Sequence, residues 1–401
     1  MTQSSGTLIK VRVTTSSADA EERGRSMTTQ KQEQVLIAGA SFAGLTTALW
    51  MRRLGYDVSI VEVASGLKRG GTPVDIRDDT IAIVDRMGLL EQISAKALAP
   101  RVTEFTTPEG DRIARMDPVP PSAGSTGDGY EIHRDDLLDI LAAATEGEVE
   151  MLWNNSVTSL HETDEERVHV TFRDGTERDF SMVFGCDGNH STVRRLHFGQ
   201  EALYSHFLRT YFSVAILDDL VIEPQTTRIT NAPGVTMLIN SYDTTTDLVL
   251  GFRSEQEIPF DHHDEAAQKH ILREHMLRAG SPFSDHVDEA IGAETFYFDK
   301  LSQIKMPAWT SGRVALVGDA GYCPSPAAGM GGSLAIIGAT ALHDALRDAD
   351  GDVEQAFADY ERALRPVVDA VQHDAEHIGV SSYFPATADQ IDARNRMLLD
   401  R

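Results

Sequence analysis

The chain has 401 residues, of which 41% are hydrophobic and 24% are charged, a composition typical of a globular protein with a sizeable core. Its 36 lysines and arginines against 62 aspartates and glutamates give a formal net charge of −26, which argues against nucleic acid or an anionic membrane as a partner. The only cysteines, Cys186 and Cys323, are too few for a disulfide framework and favour a reducing, cytoplasmic setting.

Neither the N-terminus nor the longest uncharged segment predicts a membrane protein. Residues 1–30 are rich in Ser and Thr and lack the apolar run of a secretory signal, so we expect a disordered tail. Residues 320–342 carry no charge and are long enough to span a bilayer. They contain Pro324, Pro326 and several glycines, which would leave backbone groups unpaired in lipid, so we predict no membrane span.

The first predicted unit is a strand, a helix and a second strand. Residues 34–39 (QVLIAG) form a short apolar run that ends in glycine, which is typical of a buried parallel strand. Residues 43–54 form the helix, which Gly55 ends, and residues 57–62 (DVSIVE) form the next strand. This βαβ unit of about 30 residues predicts an α/β protein with a doubly wound sheet.

Helices and hairpins follow as far as the middle of the chain. Helical periodicity covers residues 79–98, with a break at Gly88, and returns over residues 134–144, where two acids in the first turn suit the helix dipole. Hairpins are predicted at residues 103–115 and at residues 168–184, the second around an Asp-Gly turn.

From about residue 203 to residue 298 the sequence is rich in aromatic residues, Thr and Val, which favour strands. One helix, Glu265–Ala279, interrupts them. We therefore predict a mainly β module, inserted between α/β parts, with strands at residues 211–216, 235–240, 248–252 and 295–298. The α/β part resumes with a strand at residues 314–317 and helices at residues 332–347 and 352–379.

A glycine-rich turn joins the first strand to the first helix. Gly39, Ser41 and Gly44 match the dinucleotide fingerprint G-x-G-x-x-G, except that Ser41 stands where the second glycine is usual. The N–H groups at the start of the helix would hold phosphates. Glu62 ends the next strand, where its carboxylate can accept hydrogen bonds from ribose hydroxyls. This combination favours a dinucleotide site over a glycine that merely ends a strand.

A second motif follows a predicted strand in the middle of the chain. Residues 185–195 (GCDGNHSTVRR) place Asp187 and Gly188 directly after that strand. On its own, this pattern indicates no more than an Asp-Gly turn.

A third motif, residues 313–332 (RVALVGDAGYCPSPAAGMGG), places Asp319 at the end of a buried strand and ahead of a loop rich in Pro and Gly. Asp319 can accept from a sugar-alcohol hydroxyl, and the N–H groups of Gly331 and Gly332 can face an anionic ring oxygen. The alternative is an ordinary connection from strand to helix.

The three motifs, in this order, resemble those of the flavoprotein aromatic hydroxylases, the single-component class A monooxygenases of the para-hydroxybenzoate hydroxylase fold, over residues 34–370. In that family the first motif binds the ADP half of FAD and the second serves FAD and the pyridine nucleotide. The third holds the ribityl chain, and Pro326 and Gly329 match the loop beside the isoalloxazine. Arg134 matches an arginine that reaches the FAD, and residues 70–75 (GGTPVD) look most like the tetracycline-inactivating branch.

Carried over by position, the resemblance implies that non-covalent FAD is held by Gly39, Ser41, Gly44, Glu62, Arg134, Asp187, Gly188, Asp319, Pro326, Gly331 and Gly332. It also implies a Rossmann-like FAD-binding domain with an inserted, mainly β substrate domain and a C-terminal helix. The expected boundaries are 1–30 for the tail, 31–95, 125–198 and 296–345 for the FAD-binding domain, 96–124 and 199–295 for the substrate domain, and 346–401 for the C-terminal helical segment.

The activity that the resemblance implies is an NAD(P)H-consuming monooxygenase. NAD(P)H, bound transiently near the second motif, would reduce the flavin, dioxygen would add at C4a, and the distal oxygen of the hydroperoxyflavin would pass to an electron-rich ring. Because the flavin supplies this chemistry, we assign no catalytic acid or base. The expected partner is a small aromatic substrate, and the expected assembly is a monomer or a homodimer.

The inserted β module supplies the substrate candidates. Pockets for flat ligands are mostly apolar with few polar groups, so the module and the 70–75 loop favour a multi-ring phenol or enol, such as a tetracycline-like antibiotic or an aromatic polyketide. Side chains alternate between the two faces of a strand, so the sequence does not assign the face that points to the flavin. The candidates are Tyr211, Phe212, Met237, Asn240 and Arg253.

The sequence also leaves other functions open. A flavin-dependent oxidase, reductase or halogenase would use the same fold, although the three tryptophans are far apart and do not form the W-x-W motif usual in halogenases. A non-catalytic protein that binds FAD or another ligand is a further alternative. His373 and His377 have metal-ligand spacing on a helix, but no third ligand is evident, so we predict no metal.

Overall fold

A computed structural model describes residues 33–118 and 129–399 of the chain. The predicted tail, residues 1–30, lies outside the described residues, as do residues 119–128, which contain the predicted boundary at 124.

The strands, in chain order, are β1 (Gln34–Ala38), β2 (Asp57–Val61), β3 (Val74–Ile76), β4 (Val102–Thr106), β5 (Arg112–Met116), β6 (Tyr130–Ile132), β7 (Val149–Leu152), β8 (Val157–Glu162), β9 (Val168–Phe172), β10 (Glu177–Phe180), β11 (Met182–Gly185), β12 (Ser205–Leu217), β13 (Thr226–Ala232), β14 (Val235–Ser241), β15 (Thr246–Arg253), β16 (Thr295–Ile304), β17 (Thr310–Ser311) and β18 (Val314–Leu316).

The helices are α1 (Phe42–Arg53), α2 (Asp79–Arg86), α3 (Leu90–Ala95), α4 (Arg134–Ala143), α5 (Thr192–His197), α6 (Glu265–Ala279), α7 (Val287–Gly292), α8 (Asp319–Tyr322), α9 (Gly331–Asp348), α10 (Val353–Asp374), α11 (Val380–Tyr383) and α12 (Ala388–Leu399). Short 3₁₀ turns cover Glu201–Leu203 and Pro326–Ala328, and a π-helical turn, Ala375–Gly379, joins α10 to α11.

The first sheet has the strand order β17-β18-β11-β1-β2-β7, and its strands from β18 to β7 are parallel. The central strand β1 has Val35, Leu36 and Ile37 fully buried, as expected for a parallel strand that is covered on both faces. Helix α1 is buried over almost its whole length and packs against α9, where the Trp50 indole N–H donates to Thr340 Oγ1 at 2.9 Å.

The second large sheet has the strand order β16-β12-β15-β14-β13-β4-β5 and is mainly antiparallel. One face, which we call the helix face, packs against α6 and α7 through Leu272, Met276 and Val287. The opposite face, which we call the inner face, carries Phe212, Val214, Val249 and Leu301 and contacts Ala327 of the parallel-sheet part together with Val380 and Phe384 of the C-terminal segment.

The structure confirms the predicted α/β class with an inserted β module and C-terminal helices. Strand β13 was not predicted, because its sequence, TTRITNA, is too polar to stand out from a loop. The boundary predicted at residue 296 is wrong, because β16 pairs with β12 as far as Ile304 and therefore belongs to the second sheet. No helix in the described part of the chain is long and apolar enough to cross a bilayer.

Candidate active site

The carboxyl ends of β1, β2, β11 and β18 meet along one edge of the parallel sheet, which we call the carboxyl edge. Four residues named by the motifs follow these strands: Gly39, Glu62, Asp187 and Asp319. In open α/β sheets, ligands bind in the crevice outside the carboxyl ends of the strands. The fold therefore brings the three motifs, which are distant in sequence, to one place.

The turn after β1 has no room for side chains at its two glycines. Gly39 has φ +102°, its N–H donates to Val61 O at 2.8 Å, and a Cβ there would lie 2.6 Å from Cys186 O. A Cβ on Gly44 would lie 1.9 Å from Gly39 O. These contacts explain why glycine is required at both positions.

Ser41, which replaces the second glycine of the fingerprint, has an ordinary extended backbone and caps α1. Its Oγ accepts from the Gly44 N–H at 3.3 Å and donates to Cys186 O at 2.9 Å. The serine therefore ties the start of α1 to the end of β11, and the N-terminus of α1 keeps the geometry that suits a phosphate.

The Glu62 carboxylate, at the end of β2, is held by backbone N–H groups that follow β1 and β2. Its Oε2 accepts from the Ala40 N–H and its Oε1 from the Ala64 N–H, each at 2.9 Å. Each carboxylate oxygen has further acceptor capacity, so Glu62 can still receive hydroxyl donors from a sugar.

The Asp187 carboxylate is used within the protein. It accepts from the Ser191 hydroxyl and from the backbone N–H groups of Thr192 and Val193, at 2.7 and 3.1 Å, and so fixes the start of α5. Gly188 has φ +82° and open space where its Cβ would be. The sequence assigned both residues to FAD; the geometry makes Asp187 a support of the turn, and its contact with FAD stays a prediction.

Asp319 and Arg134 lie close together beside the carboxyl edge. Burial raises the pKa of Asp319 to about 6, and the nearby Arg134 guanidinium partly opposes this rise. Burial likewise lowers the pKa of Arg134. Neither side chain forms a salt bridge with another residue of the described ranges, although the Arg134 guanidinium lies 4.6 Å from the centre of the Phe42 ring. Two desolvated charges without a salt bridge are well placed to bind a polar ligand.

The loop between α8 and α9 completes this side of the site. Gly318, directly before α8, has φ +70°; in the loop itself Pro326 opens a 3₁₀ turn that ends at Gly329, which has φ +63°. No side chain caps the N-terminus of α9, which begins with Gly331 and Gly332. Its first N–H groups therefore receive no side-chain acceptor, and the predicted contact of Gly331 and Gly332 with a ligand stays a prediction.

The Gly70–Gly71 loop lies where the parallel-sheet part of the molecule meets the second sheet. The Gly70 N–H donates to Asp135 Oδ1 at 3.0 Å, and a Cβ on Gly70 would lie 3.5 Å from Thr295 Cγ2 at the start of β16. A Cβ on Gly71 would lie 2.9 Å from Arg134 Cδ. The loop thus packs between Arg134 and the end of the second sheet.

The five substrate candidates divide between the two faces of the second sheet. Tyr211 and Met237 lie in the helix-face cluster with α6 and α7, so they point away from the Pro326 loop and do not line a site there. Phe212 lies on the inner face. By strand alternation Asn240 and Arg253 share that face with Leu238 and Val249, and Asn240 Oδ1 accepts from Thr227 Oγ1.

Sequence reasoning missed Tyr297, which lies on the inner face beside Phe212, with ring centres 5.7 Å apart. Its side chain is 42% exposed, yet the surrounding protein desolvates the phenol and raises its pKa above the ordinary value. From the accessible side chain and the desolvated hydroxyl we infer that Tyr297 lines a recess. The charges of Asp319 and Arg134 act on Tyr297, so this recess lies next to the carboxyl edge.

A surface groove of about 450 Å³ lies elsewhere, between the end of β16 and α10. In it Arg365 covers the Trp309 ring at 3.9 Å and donates to Met306 O, so its polar groups already bind protein atoms. The rings of His373 and His377 stack there, 4.1 Å apart. Within residues 33–118 and 129–399, no group of three or more His, Cys, Asp or Glu could hold a metal ion.

Comparison with known proteins agrees with this geometry. Residues 32–375 match the FAD binding domain family. A flavin-dependent monooxygenase of an unknown prokaryotic organism is 32% identical over 373 residues, which cover 92% of this chain and 95% of the relative. A second one, from Legionella longbeachae, is 32% identical over 343 residues, 85% of this chain and 87% of the relative. The crystal structure of the tetracycline destructase Tet(51) superposes with a TM-score of 0.80 at 30% identity and covers 92% of this chain and 96% of that one.

Proposed function

The chain belongs to the FAD binding domain family and is an FAD-dependent monooxygenase, and we propose that it consumes NAD(P)H and dioxygen to hydroxylate an aromatic or polycyclic phenol or enol. The observation that carries this proposal is the pair of desolvated charges, Arg134 and Asp319, beside the carboxyl edge and close enough to the second sheet to act on Tyr297.

The residues of the carboxyl edge fit FAD in their chemistry. Gly39 and Gly44 allow the tight turn that leaves the N-terminus of α1 facing a diphosphate, and the Glu62 carboxylate can accept from the adenosine ribose. Asp319 can accept from the ribityl hydroxyls, and the uncapped N-terminus of α9 offers N–H groups to the anionic end of the flavin ring. Arg134 adds a positive charge beside them.

Bound FAD, once reduced by NAD(P)H, supplies the activated oxygen. The task of this chain is then to position the substrate ring, to exclude water and to place charge. Phe212, Val214 and Val249 form a buried apolar cluster with Ala327, Val380 and Phe384, an apolar backing that suits a flat ring, and Tyr297 adds an accessible polar group at its margin.

The proposal places NAD(P)H on the surface rather than in a second deep site. The carboxyl edge carries the only dinucleotide fingerprint in the sequence, and FAD uses it. The region around Gly188, whose backbone faces open space, is the proposed place of transient contact. Stoichiometric NADPH that copurifies with the protein would contradict this arrangement.

The test is a substrate screen on purified, full-length protein. We expect a yellow protein whose slow oxidation of NADPH or NADH is stimulated several-fold by tetracycline or another polycyclic phenol, with a product that mass spectrometry shows to be one oxygen atom heavier. A colourless protein that takes up no FAD would refute the proposal. Stoichiometric hydrogen peroxide without an oxygenated product would indicate an oxidase, and a response to simple hydroxybenzoates alone would refute the polycyclic class.

A further inference from the structure

Tyr297 is the first member of a chain of polar contacts that leads out of the recess. Its O–H donates to Asp299 Oδ2 at 2.9 Å. The same Asp299 oxygen lies 3.4 Å from His190 Nε2, and His190 Nδ1 lies 3.0 Å from Glu201 Oε2. Asp299 is only 5% exposed, so its charge depends on its neighbours: this histidine, Tyr297 and the Lys300 N–H, which donates to Oδ1 at 2.7 Å.

We propose that Tyr297 is a substrate-binding residue that presents a hydrogen-bond acceptor to the ligand. In this proposal Asp299 and His190 are positioning residues, which keep the hydroxyl hydrogen of Tyr297 directed at Asp299. The assignment rests on the proposed function and deepens it, because it selects ligands that carry a free hydroxyl donor over ligands in which that oxygen is blocked.

The hydrogen-bonding capacity of a phenol limits what the Tyr297 oxygen can offer a ligand. A tyrosine hydroxyl has one hydrogen to donate and lone pairs that accept. Because an ionised carboxylate can only accept, the bond to Asp299 uses the hydrogen of Tyr297. The part of the oxygen that remains free can therefore only accept, and a phenol or enol O–H is the complementary group.

The charge on Asp299 is maintained by its neighbours. Burial is the largest influence on Asp299 and alone would raise its pKa, but the contacts with His190, the Lys300 N–H and Tyr297 together outweigh it and the net shift is downward. The contacts with Asp299 and Glu201 raise the pKa of His190 to about 9, so the imidazolium persists at neutral pH.

The other groups near His190 leave this charge state in place. Arg194 forms a salt bridge with Glu201 at 3.2 Å, and the His262 ring stacks on His190 at 4.5 Å. Burial and the nearby His190 lower the pKa of His262, so this ring is neutral. Lys300, which acts on Glu201, forms its own ion pair with Glu257.

A purely structural role would not require this arrangement. Tyr297 is 42% exposed and lies in the recess with Phe212, so its phenol is not needed to fill a core. The test must therefore measure ligand selectivity, which loss of packing alone would not change.

The experiment uses FAD-loaded, full-length protein and two probes with the same rings, 2-naphthol and 2-methoxynaphthalene, of which only the first has an O–H. Dissociation constants come from the change in flavin absorbance without NAD(P)H. We expect the wild type to prefer 2-naphthol. Tyr297→Phe should weaken 2-naphthol about fivefold to tenfold, the value of one hydrogen bond, and leave 2-methoxynaphthalene within about twofold.

Two matched controls separate selectivity from general damage. Tyr56→Phe removes a phenol at the opposite end of β2 and should leave both constants unchanged. His169→Gln removes a histidine that lies between Asp179 at 2.7 Å and Glu177 at 3.7 Å on the small sheet of β8 to β10, and should also change neither.

His190→Gln tests the positioning part. Without the imidazolium, Asp299 takes up a proton more easily, its carboxyl can donate, and the Tyr297 hydrogen can turn to the ligand. The preference for 2-naphthol should fall about twofold to threefold, since one bond is weakened rather than lost. In a separate readout, the His190 pKa measured by NMR should lie near 9 in the wild type and fall in Asp299→Asn.

The outcomes distinguish the two proposals. Protein that takes up no FAD, or FAD-loaded wild type that binds neither probe, refutes the proposed function or its substrate class. Wild type without preference between the probes, or equal losses for both in Tyr297→Phe, overturns the assignment of Tyr297. An unchanged selectivity in His190→Gln, or an ordinary His190 pKa, overturns the positioning role.

Discussion

The carboxyl edge and the inner face of the second sheet position their groups by different physical means. At the carboxyl edge the backbone forms the site: two glycines without room for a Cβ, a carboxylate held by two N–H groups, and a helix start without a cap. On the inner face the site consists of side chains that alternate along strands, such as Phe212 and Tyr297.

This difference sets how much change each region tolerates. A backbone site fails when one atom is added, because peptide groups cannot move aside independently. A wall of side chains can accept another apolar residue of similar size, and its ligand preference then shifts by degrees. We therefore expect cofactor binding to be sensitive to single atoms at the carboxyl edge, and substrate preference to be adjustable on the inner face.

The largest effect is expected from Gly44→Ala. The new Cβ would lie 1.9 Å from Gly39 O, so the turn or α1 must shift. We expect FAD affinity to fall more than about 100-fold and the free energy of unfolding to fall by about 3 kcal/mol, the cost of overpacking a close backbone contact. Fluorescence titration with FAD and urea denaturation measure the two quantities.

Gly292→Ala is the matched control, because a Cβ at this helical glycine of α7 meets no atom within 4 Å. It should leave FAD binding unchanged and affect stability by less than about 1 kcal/mol, in the stabilising direction. Normal FAD affinity in Gly44→Ala would show that the turn adjusts freely, and would remove the contrast between the two regions.

The glycines of the carboxyl edge can be recognised in the sequence for the same physical reason. Where a Cβ does not fit, only glycine is allowed, so Gly39 and Gly44 are visible as residue types at fixed spacing. The inner face left no such signal. Alternation showed that Phe212 and Tyr211 point to opposite sides, but only the packing of α6 decided which of them faces inward.

The contacts of Tyr297 were beyond prediction because they depend on pairing distant in sequence. Asp299 reaches the neighbourhood of His190 because β16 pairs with β12, whereas His190 follows β11 in the other sheet. Asp187 shows the converse case. Its motif was recognised, but the hydrogen bonds that its carboxylate forms within α5 appear only in the structure.

Met237→Ala and Phe212→Ala test the division between the two faces. Both residues are buried, 4% and 6% exposed, so each truncation should lower the free energy of unfolding by about 3 kcal/mol through lost burial and a residual cavity. Only Phe212→Ala should also raise KM for a polycyclic substrate, about tenfold, because only Phe212 lies on the inner face.

Steady-state kinetics at saturating FAD, together with urea denaturation, separate these effects. A tenfold rise in KM for Met237→Ala, equal to that of Phe212→Ala, would show that general loosening of the sheet controls substrate binding. The assignment of faces would then have no functional meaning.

The smallest effect is expected from Asp319→Asn. This substitution should raise the stability of the FAD-free protein and lower its affinity for FAD. Burial raises the pKa of Asp319 from an ordinary value near 3.8 to about 6, so the ionised form is less stable in the folded protein than in the unfolded chain. The resulting penalty is absent below the unfolded pKa, grows as the pH rises, and is complete above about pH 6. Asparagine carries no such penalty.

Without FAD, Asp319→Asn should therefore be more stable than the wild type at pH 8 by about 1–2 kcal/mol, and equally stable near pH 4. FAD binding should change in the opposite sense: affinity should fall about tenfold, because a neutral amide accepts hydroxyl donors more weakly than a carboxylate. Asp85→Asn, an exposed position on α2, should change neither quantity. Thermal unfolding of the FAD-free protein and FAD titration at both pH values make the comparison.

If Asp319→Asn lowered the stability of the FAD-free protein at pH 8, the Asp319 charge would be stabilising the fold rather than binding the cofactor, and the carboxyl edge would lose its proposed ribityl acceptor. The expected result instead identifies a residue that costs stability so that a ligand can bind.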